Sequence, residues 1–169
     1  MKNSRKFIVF AVEIVISAAL VGLDQWIKAL AVENLMGKEG IVLIKNFIGL
    51  SYAENTGAAF SAFSDSTTVL SVFTLIMLVA VAVYMFFADG RIKNICTVCI
   101  FAGGAGNLID RFAQGYVVDY IKTLFIDFPV FNFADILVVC GTFGLCGILI
   151  YEIIKEEKLK KQEKADGNS

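Results

Sequence analysis

An all-α membrane protein is the fold class this sequence predicts: four transmembrane helices with a small extracytoplasmic β-element. Three observations predict it. The 169 residues are 57% hydrophobic with a mean hydropathy of +0.73, where a soluble domain has roughly 45–50% apolar residues. The excess is gathered into four long runs rather than spread along the chain. Ten of the fifteen Lys and Arg residues fall at one set of run ends. The net charge of −1 by itself says nothing about partners, and no nucleic-acid partner is expected. The absence of histidine excludes a His-based triad and a His-ligated metal site.

The runs come in order. The first, Phe7 to Leu23, is interrupted by Glu13. The second, Ser66 to Ala88, carries no charge over 23 residues; the third, Asn94 to Ile109, and the fourth, Ile136 to Tyr151, carry none over 16 each. About twenty residues at 1.5 Å rise cross a typical hydrocarbon core. The third and fourth are short by that measure unless their polar ends continue the helices, so spans of about 7–30, 66–88, 94–112 and 133–153 are expected. The basic start and first apolar run resemble a secretory signal, but no small-residue cleavage site follows, and the run leads into Asp24-Gln25-Trp26-Ile27-Lys28. A retained first span is expected, with Glu13 snorkelling to the near interface. Residues 35–65 hold short β-like runs, Ile41–Ile44 and Phe47–Tyr52, around a Lys45-Asn46 turn. Residues 1–155 are expected to form one membrane domain, with 156–169 a charged tail that extends the last helix.

Basic residues set the orientation. Lys2, Arg5 and Lys6 precede the first run, Arg91 and Lys93 separate the second from the third, and Lys155, Lys158, Lys160, Lys161 and Lys164 follow the fourth. Both termini are therefore expected in the cytoplasm. The β-like loop and the connection between the third and fourth runs then face outward.

That connection holds the chemistry. From Gly103 to Asp135, polar groups lie against apolar runs, and a carboxylate at such a depth is a functional-site hypothesis by default. Asp119 and Asp135 flank the short connection and supply the material for a carboxyl dyad. Two close carboxyls share one proton, so one can take a proton from water while the other polarises a carbonyl. Asn107 and Arg111 share a helix face with Gly103, and Asn132 shares one with Asp135. The glycines of Gly103-Gly104-Ala105-Gly106 suit close helix packing. Asp24 and Lys28, four apart, read equally as a structural ion pair and as groups shaping the site. Asp110, Asn55 and Gly57 complete the set. The four cysteines, all in apolar runs, read as reduced structural thiols despite the Cys96-x-x-Cys99 spacing. From chemistry alone a protease, a proton-coupled transporter and a structural scaffold all stay open.

Five blocks narrow the choice. Asp24-Gln25-x-x-Lys28, Asn55-x-Gly57-Ala58-Ala59-Phe60, Gly106-Asn107-x-x-Asp110-Arg111, Val117-Val118-Asp119-Tyr120 and Phe131-Asn132-x-Ala134-Asp135 resemble, in order, the motifs of the lipoprotein signal peptidases, signal peptidase II. One departure is Tyr120, where the family commonly has Phe. The resemblance implies four transmembrane helices with a small extracytoplasmic β-cradle, in the bacterial cytoplasmic membrane, N-in and C-in. It implies an aspartyl endopeptidase that cuts a diacylglyceryl-modified prolipoprotein just before its lipidated cysteine, near the outer leaflet. Asp119 and Asp135 would be the catalytic pair, with Asp24, Lys28, Asn55, Gly57, Asn107, Asp110, Arg111 and Asn132 as the supporting shell. No metal and no cofactor is expected. Lipidated prolipoproteins and membrane lipids are the expected partners, globomycin-type inhibitors the expected ligands, and a monomer the expected state.

Overall fold

The computed structural model describes residues 2–57, 67–88 and 90–166. Ala58-Ala59-Phe60 of the second block and Ser66 at the start of the second run lie outside the described residues. The elements in order are α1 (Lys2–Leu35), β1 (Ile41–Ile44), β2 (Ile48–Asn55), α2 (Thr67–Phe87), α3 (Arg91–Gln114), β3 (Val117–Thr123) and α4 (Phe133–Asp166). All four helices are long and apolar enough to cross a membrane. The polar ends of the short third and fourth runs do continue as helix, and α4 runs on to Asp166 with no break at 155. At 34 residues, α1 is about 51 Å long and outreaches a 30 Å hydrocarbon core by several turns. Its side chains are apolar around much of its circumference: Phe7, Ile8, Val15 and Ile16 are all exposed, as lipid-facing positions are.

Helix α3 is the axis of the bundle, and its glycines show why. A Cβ on Gly103 would collide with the carbonyl oxygen of Ala134 in α4, one on Gly104 would lie 3.0 Å from Leu78 of α2, and one on Gly106 would lie 2.5 Å from Asp24 of α1. Three neighbouring positions thus admit three different helices to close approach. At its far end α3 stops at Gly115, whose φ of 82° is left-handed and whose N–H donates to the carbonyl of Arg111.

The β-element is larger than the sequence reading gave it. β1 and β2 form the expected hairpin, with Asn46 at the turn in the left-handed region (φ 57°). The connection between α3 and α4, read from sequence as a loop, instead supplies a third strand, and the antiparallel sheet has the order β1-β2-β3. β3 alternates. Val118 and Tyr120 bury against Ala31 and Leu35 at the end of α1, while Val117 and Asp119 point the other way. The chain then folds back so that Phe131 bonds to Ile121 in both directions, N–H to O at 3.0 and 2.7 Å. This return fixes Asn132, the residue before α4, beside β3.

Glu13 differs from expectation. It does not snorkel to an interface: it is 4% exposed and sits in the helix packing.

Candidate active site

The start of α4 organises the site. The first amides of a helix lack partners within the helix, and here each has one. Phe133 N–H donates to Tyr120 Oη (3.2 Å), Ala134 N–H to Asp24 Oδ1 (3.2 Å), and Asp135 N–H to Asn132 Oδ1 (2.9 Å). Asn132 N–H donates in return to Asp135 Oδ2 at 3.0 Å. Asn132 and Asp135 therefore form a reciprocal capping box, a signal readable in the sequence but taken there only as a shared face. The positive end of the helix dipole lies beside the Asp135 carboxyl.

Asn132 also joins the two carboxyls. Its side-chain amide donates to Asp119 Oδ1 at 2.7 Å while its backbone N–H holds Asp135. The same amide lies 3.0 Å from Asn107 Oδ1, and Asn107 Nδ2 donates to Asp135 Oδ1 at 2.7 Å. Asp119 Oδ2 accepts from Asn55 Nδ2 at 3.0 Å. The sheet register makes that contact possible. Asn55 pairs with Val117 and Ala53 with Asp119, so Asn55 and Asp119 are diagonal neighbours on one face. Gly57 N–H fixes the Asn55 oxygen at 3.1 Å, leaving its amide for Asp119.

Beneath lies a closed ionic layer. The Lys28 ammonium reaches Asp24 Oδ2, Asp110 Oδ2 and Asn107 Oδ1, each at 2.9 Å, which matches its three donors. Lys28, Asp24 and Asp110 are all at most 3% exposed. The pair is buried within the bundle, and Lys28 also bonds Asn107, whose amide holds Asp135. Asp110 also accepts from Gln25 Nε2 (2.8 Å) and from Val118 N–H (3.2 Å), tying α1 and β3 to α3. Gln25, which bonds Asp110 and the Gly106 carbonyl, was quoted in a motif but not counted among the site residues. Tyr120 Oη was noted only as a departure. Its hydroxyl caps α4, a contact that no spacing in the sequence announces.

Asp119 is 2% exposed, and burial first, then the neighbouring Asp135 charge, push its carboxyl up to about 6; the Asn55 and Asn132 amides and Lys28 oppose the shift. Asp135 is half-buried and opens onto two apolar cavities. One, of about 450 Å³, is bounded by Asn55, Gly57, Phe128, Phe131 and α4; the other, of about 360 Å³, lies among α2, α3 and α4. Asp135, Arg111 and Val139 line both. Arg111 shares the Asn107 face as expected, and its Nε is buried with no hydrogen-bond partner. Of the cysteines, Cys96 is buried and Cys99 half-buried, while Cys140 and Cys146 face outward from α4; all four are free thiols.

Residues 16–154 match the family model described as signal peptidase (SPase) II. The chain belongs to the signal peptidase II family. Its relatives include the lipoprotein signal peptidase of Clostridium acetobutylicum, 39% identical over 151 residues, covering 86% of this chain and 96% of that one. That of Enterococcus faecalis is 39% identical over 149 residues, covering 86% and 90%. That of Clostridium tetani is 40% identical over 150 residues, covering 86% and 94%. A solved structure titled a bacterial membrane enzyme, determined by the in meso method, superposes with a TM-score of 0.75 at 31% identity, over 85% of this chain and 90% of its own. The matched range contains every signal peptidase II motif named above. It begins after Glu13, which the family model leaves outside.

Proposed function

We propose that this chain removes the signal peptide from diacylglyceryl-modified prolipoproteins, cutting the bond just before the lipidated cysteine, with Asp119 and Asp135 as an aspartyl pair. The observation that carries the reading is one residue, Asn132, bonded to both carboxyls, by its side-chain amide to Asp119 and by its backbone N–H to Asp135, with Asp135 facing two apolar cavities. Such a substrate has two apolar parts, the acyl chains and the signal helix, on either side of one peptide bond. Two cavities that meet at a carboxyl suit that shape.

The roles follow from burial. Asp135, reached from the cavities, takes a proton from the attacking water. Asp119, which keeps its proton to about pH 6, gives it to the carbonyl oxygen as the C–O bond becomes single. In the collapse of the tetrahedral intermediate the C–N bond breaks, the proton on Asp135 goes to the leaving cysteine nitrogen, and the hydroxyl proton returns to Asp119. Arg111, at the junction of the cavities, binds substrate carbonyl. Ten basic residues at one set of helix ends support an N-in, C-in orientation in the bacterial cytoplasmic membrane, with the carboxyls near the outer leaflet. The reading includes action as a monomer and inhibition by globomycin-type compounds that occupy the same cavities.

The test uses purified protein with matched prolipoprotein peptides, one bearing diacylglycerol on the cysteine and one bare. Cleavage of the lipidated peptide alone, at the bond before the cysteine and unchanged in EDTA, is the expected result. Cleavage of both peptides equally would remove the lipid from the recognition.

A further inference from the structure

Tyr120 follows Asp119 in β3, and the pairing around it is irregular on both sides. Towards β2, the register runs from Leu50 opposite Ile121 to Ala53 opposite Asp119, so Ser51 and Tyr52 have Tyr120 as their one counterpart. Towards the returning chain, the N–H groups of Tyr120 (3.1 Å) and Ile121 (2.7 Å) both donate to the Phe131 carbonyl. Two residues facing one make a β-bulge, a feature that re-aims a side chain beside a functional site. The side chain here is the Tyr120 ring. It is buried with Ala31, Leu35 and Val118, and its hydroxyl accepts from Phe133 N–H, at the start of α4, at 3.2 Å.

Two peptide planes meet at the Cα of Asn132, and Tyr120 holds one atom of each. The first plane carries the Phe131 oxygen, which accepts from Tyr120 N–H, and the Asn132 N–H, which donates to Asp135 Oδ2 at 3.0 Å. The second carries the Phe133 N–H, which donates to Tyr120 Oη. The soft torsions between the planes are φ and ψ of Asn132, and holding both planes constrains both. That conformation aims the Asn132 side-chain amide at Asp119 Oδ1, 2.7 Å away. The phenol itself neither gives nor takes a proton in the working range. Burial first, then the charges of Asp24, Asp135 and Asp119, push it up to about 12, with the Phe133 N–H bond opposing. It acts by position.

We infer that Tyr120 is a positioning residue of the cleavage reaction: by gripping the backbone before and after Asn132, it fixes the residue that joins the two carboxyls. The inference rests on the aspartyl reading above. A misplacement of about 1 Å can cost about a hundredfold in rate, so loss of one of the two holds is expected to cost about tenfold.

Steady-state cleavage of the diacylglyceryl-modified prolipoprotein peptide by the purified full chain tests it. Tyr120→Phe keeps the ring and removes the oxygen; kcat is expected to fall about tenfold with KM within about twofold of normal. Amide exchange over residues 132–136 is expected to quicken at least about threefold. Tyr52→Phe is the control. Its ring packs on the same core and its hydroxyl bonds Glu54, so kcat is expected to stay within about twofold of normal. Phenyllactate in place of Phe133 keeps the side chain and removes only the N–H. It is expected to give the same loss as Tyr120→Phe, and the two together no more than about twofold beyond either, because they break one bond. Should Tyr120→Phe not fold, the phenyllactate protein carries the test alone. Normal kcat in Tyr120→Phe or the phenyllactate protein, with Asp119→Asn inactive, overturns the inference by itself; normal turnover in Asp119→Asn brings down the aspartyl reading on which it rests. Equal losses in Tyr120→Phe and Tyr52→Phe overturn it too. So does a combined loss equal to the product of the single losses, or a loss carried by KM.

Discussion

At the scale of single residues, the two carboxyls differ in exposure, and the difference makes predictions. Asn is nearly isosteric with Asp, so Asp119→Asn and Asp135→Asn should fold and insert, yet each should cleave a lipidated peptide at under about one hundredth of the normal rate. Residual turnover of a tenth or more in either variant would break the pair apart. The raised pKa of Asp119 gives a second expectation. Its ordinary value is 3.8 and its folded value about 6; the folded state thus binds the proton more tightly. The stability this contributes is complete below about pH 3.8 and is lost as pH rises through 6, a change of about 3 kcal/mol. Asp119→Asn lacks that titration, so its unfolding temperature relative to the unmodified protein should rise between pH 4 and pH 8. An unchanged difference across that range would show that Asp119 titrates normally. Arg111 is the third case. Its buried, unpartnered Nε and its place between two cavities suit a planar fork aimed at substrate, which a lysine point charge does not reproduce. Arg111→Lys should lose about tenfold in kcat, or roughly 1.4 kcal/mol of barrier, with unchanged thermal stability; full activity would leave it an interfacial anchor.

At the scale of elements, the site depends on how closely α3 meets α1 and α4. Gly106 has room for hydrogen only: a Cβ there lies 2.5 Å from Asp24 Oδ2, and Asp24 both accepts from Lys28 and caps Ala134. Gly106→Ala should cost about 1–3 kcal/mol by overpacking, and activity should fall further than stability because Lys28 and the α4 cap move together. Gly147, in the same bundle, would meet nothing within 4 Å, so Gly147→Ala should be neutral or slightly stabilising. Thermal unfolding and peptide cleavage measured on both variants separate the two positions; equal effects would mean that the approach of α3 to Asp24 is not limiting. β3 makes the complementary point. The strand is short, and its polar Asp119 sits in a buried face. Pairing with β2 on one side and Phe131 on the other keeps that carboxyl at one depth.

At the scale of the whole molecule, the prediction is topological. With the native cysteines replaced, a cysteine at Ser66 should react with an impermeant maleimide from outside intact cells and one at Asn94 should not. The reverse pattern would put Asp119 and Asp135 in the cytoplasm, where a signal peptide's cleavage site does not lie.

The sequence by itself determined the membrane class, the four spans and the identity of the polar groups. Each of these rests on composition and local periodicity: uncharged runs, basic run ends, and amides and carboxyls that an apolar stretch does not tolerate without use. Tertiary structure decided which of those groups meet. That Asn132 serves both carboxyls, that Lys28 reaches Asn107 across 79 residues of chain, and that Tyr120 caps α4 are contacts between distant segments, for which a single sequence carries no spacing signal. The third strand stayed hidden for the same reason. Val117–Thr123 is buried on both faces over its first four residues, so it lacks the polar alternation by which a half-exposed strand is read. Glu13 shows the converse limit. Its charge was plain in the sequence, but only the packing of α1 in the bundle decided that it is buried.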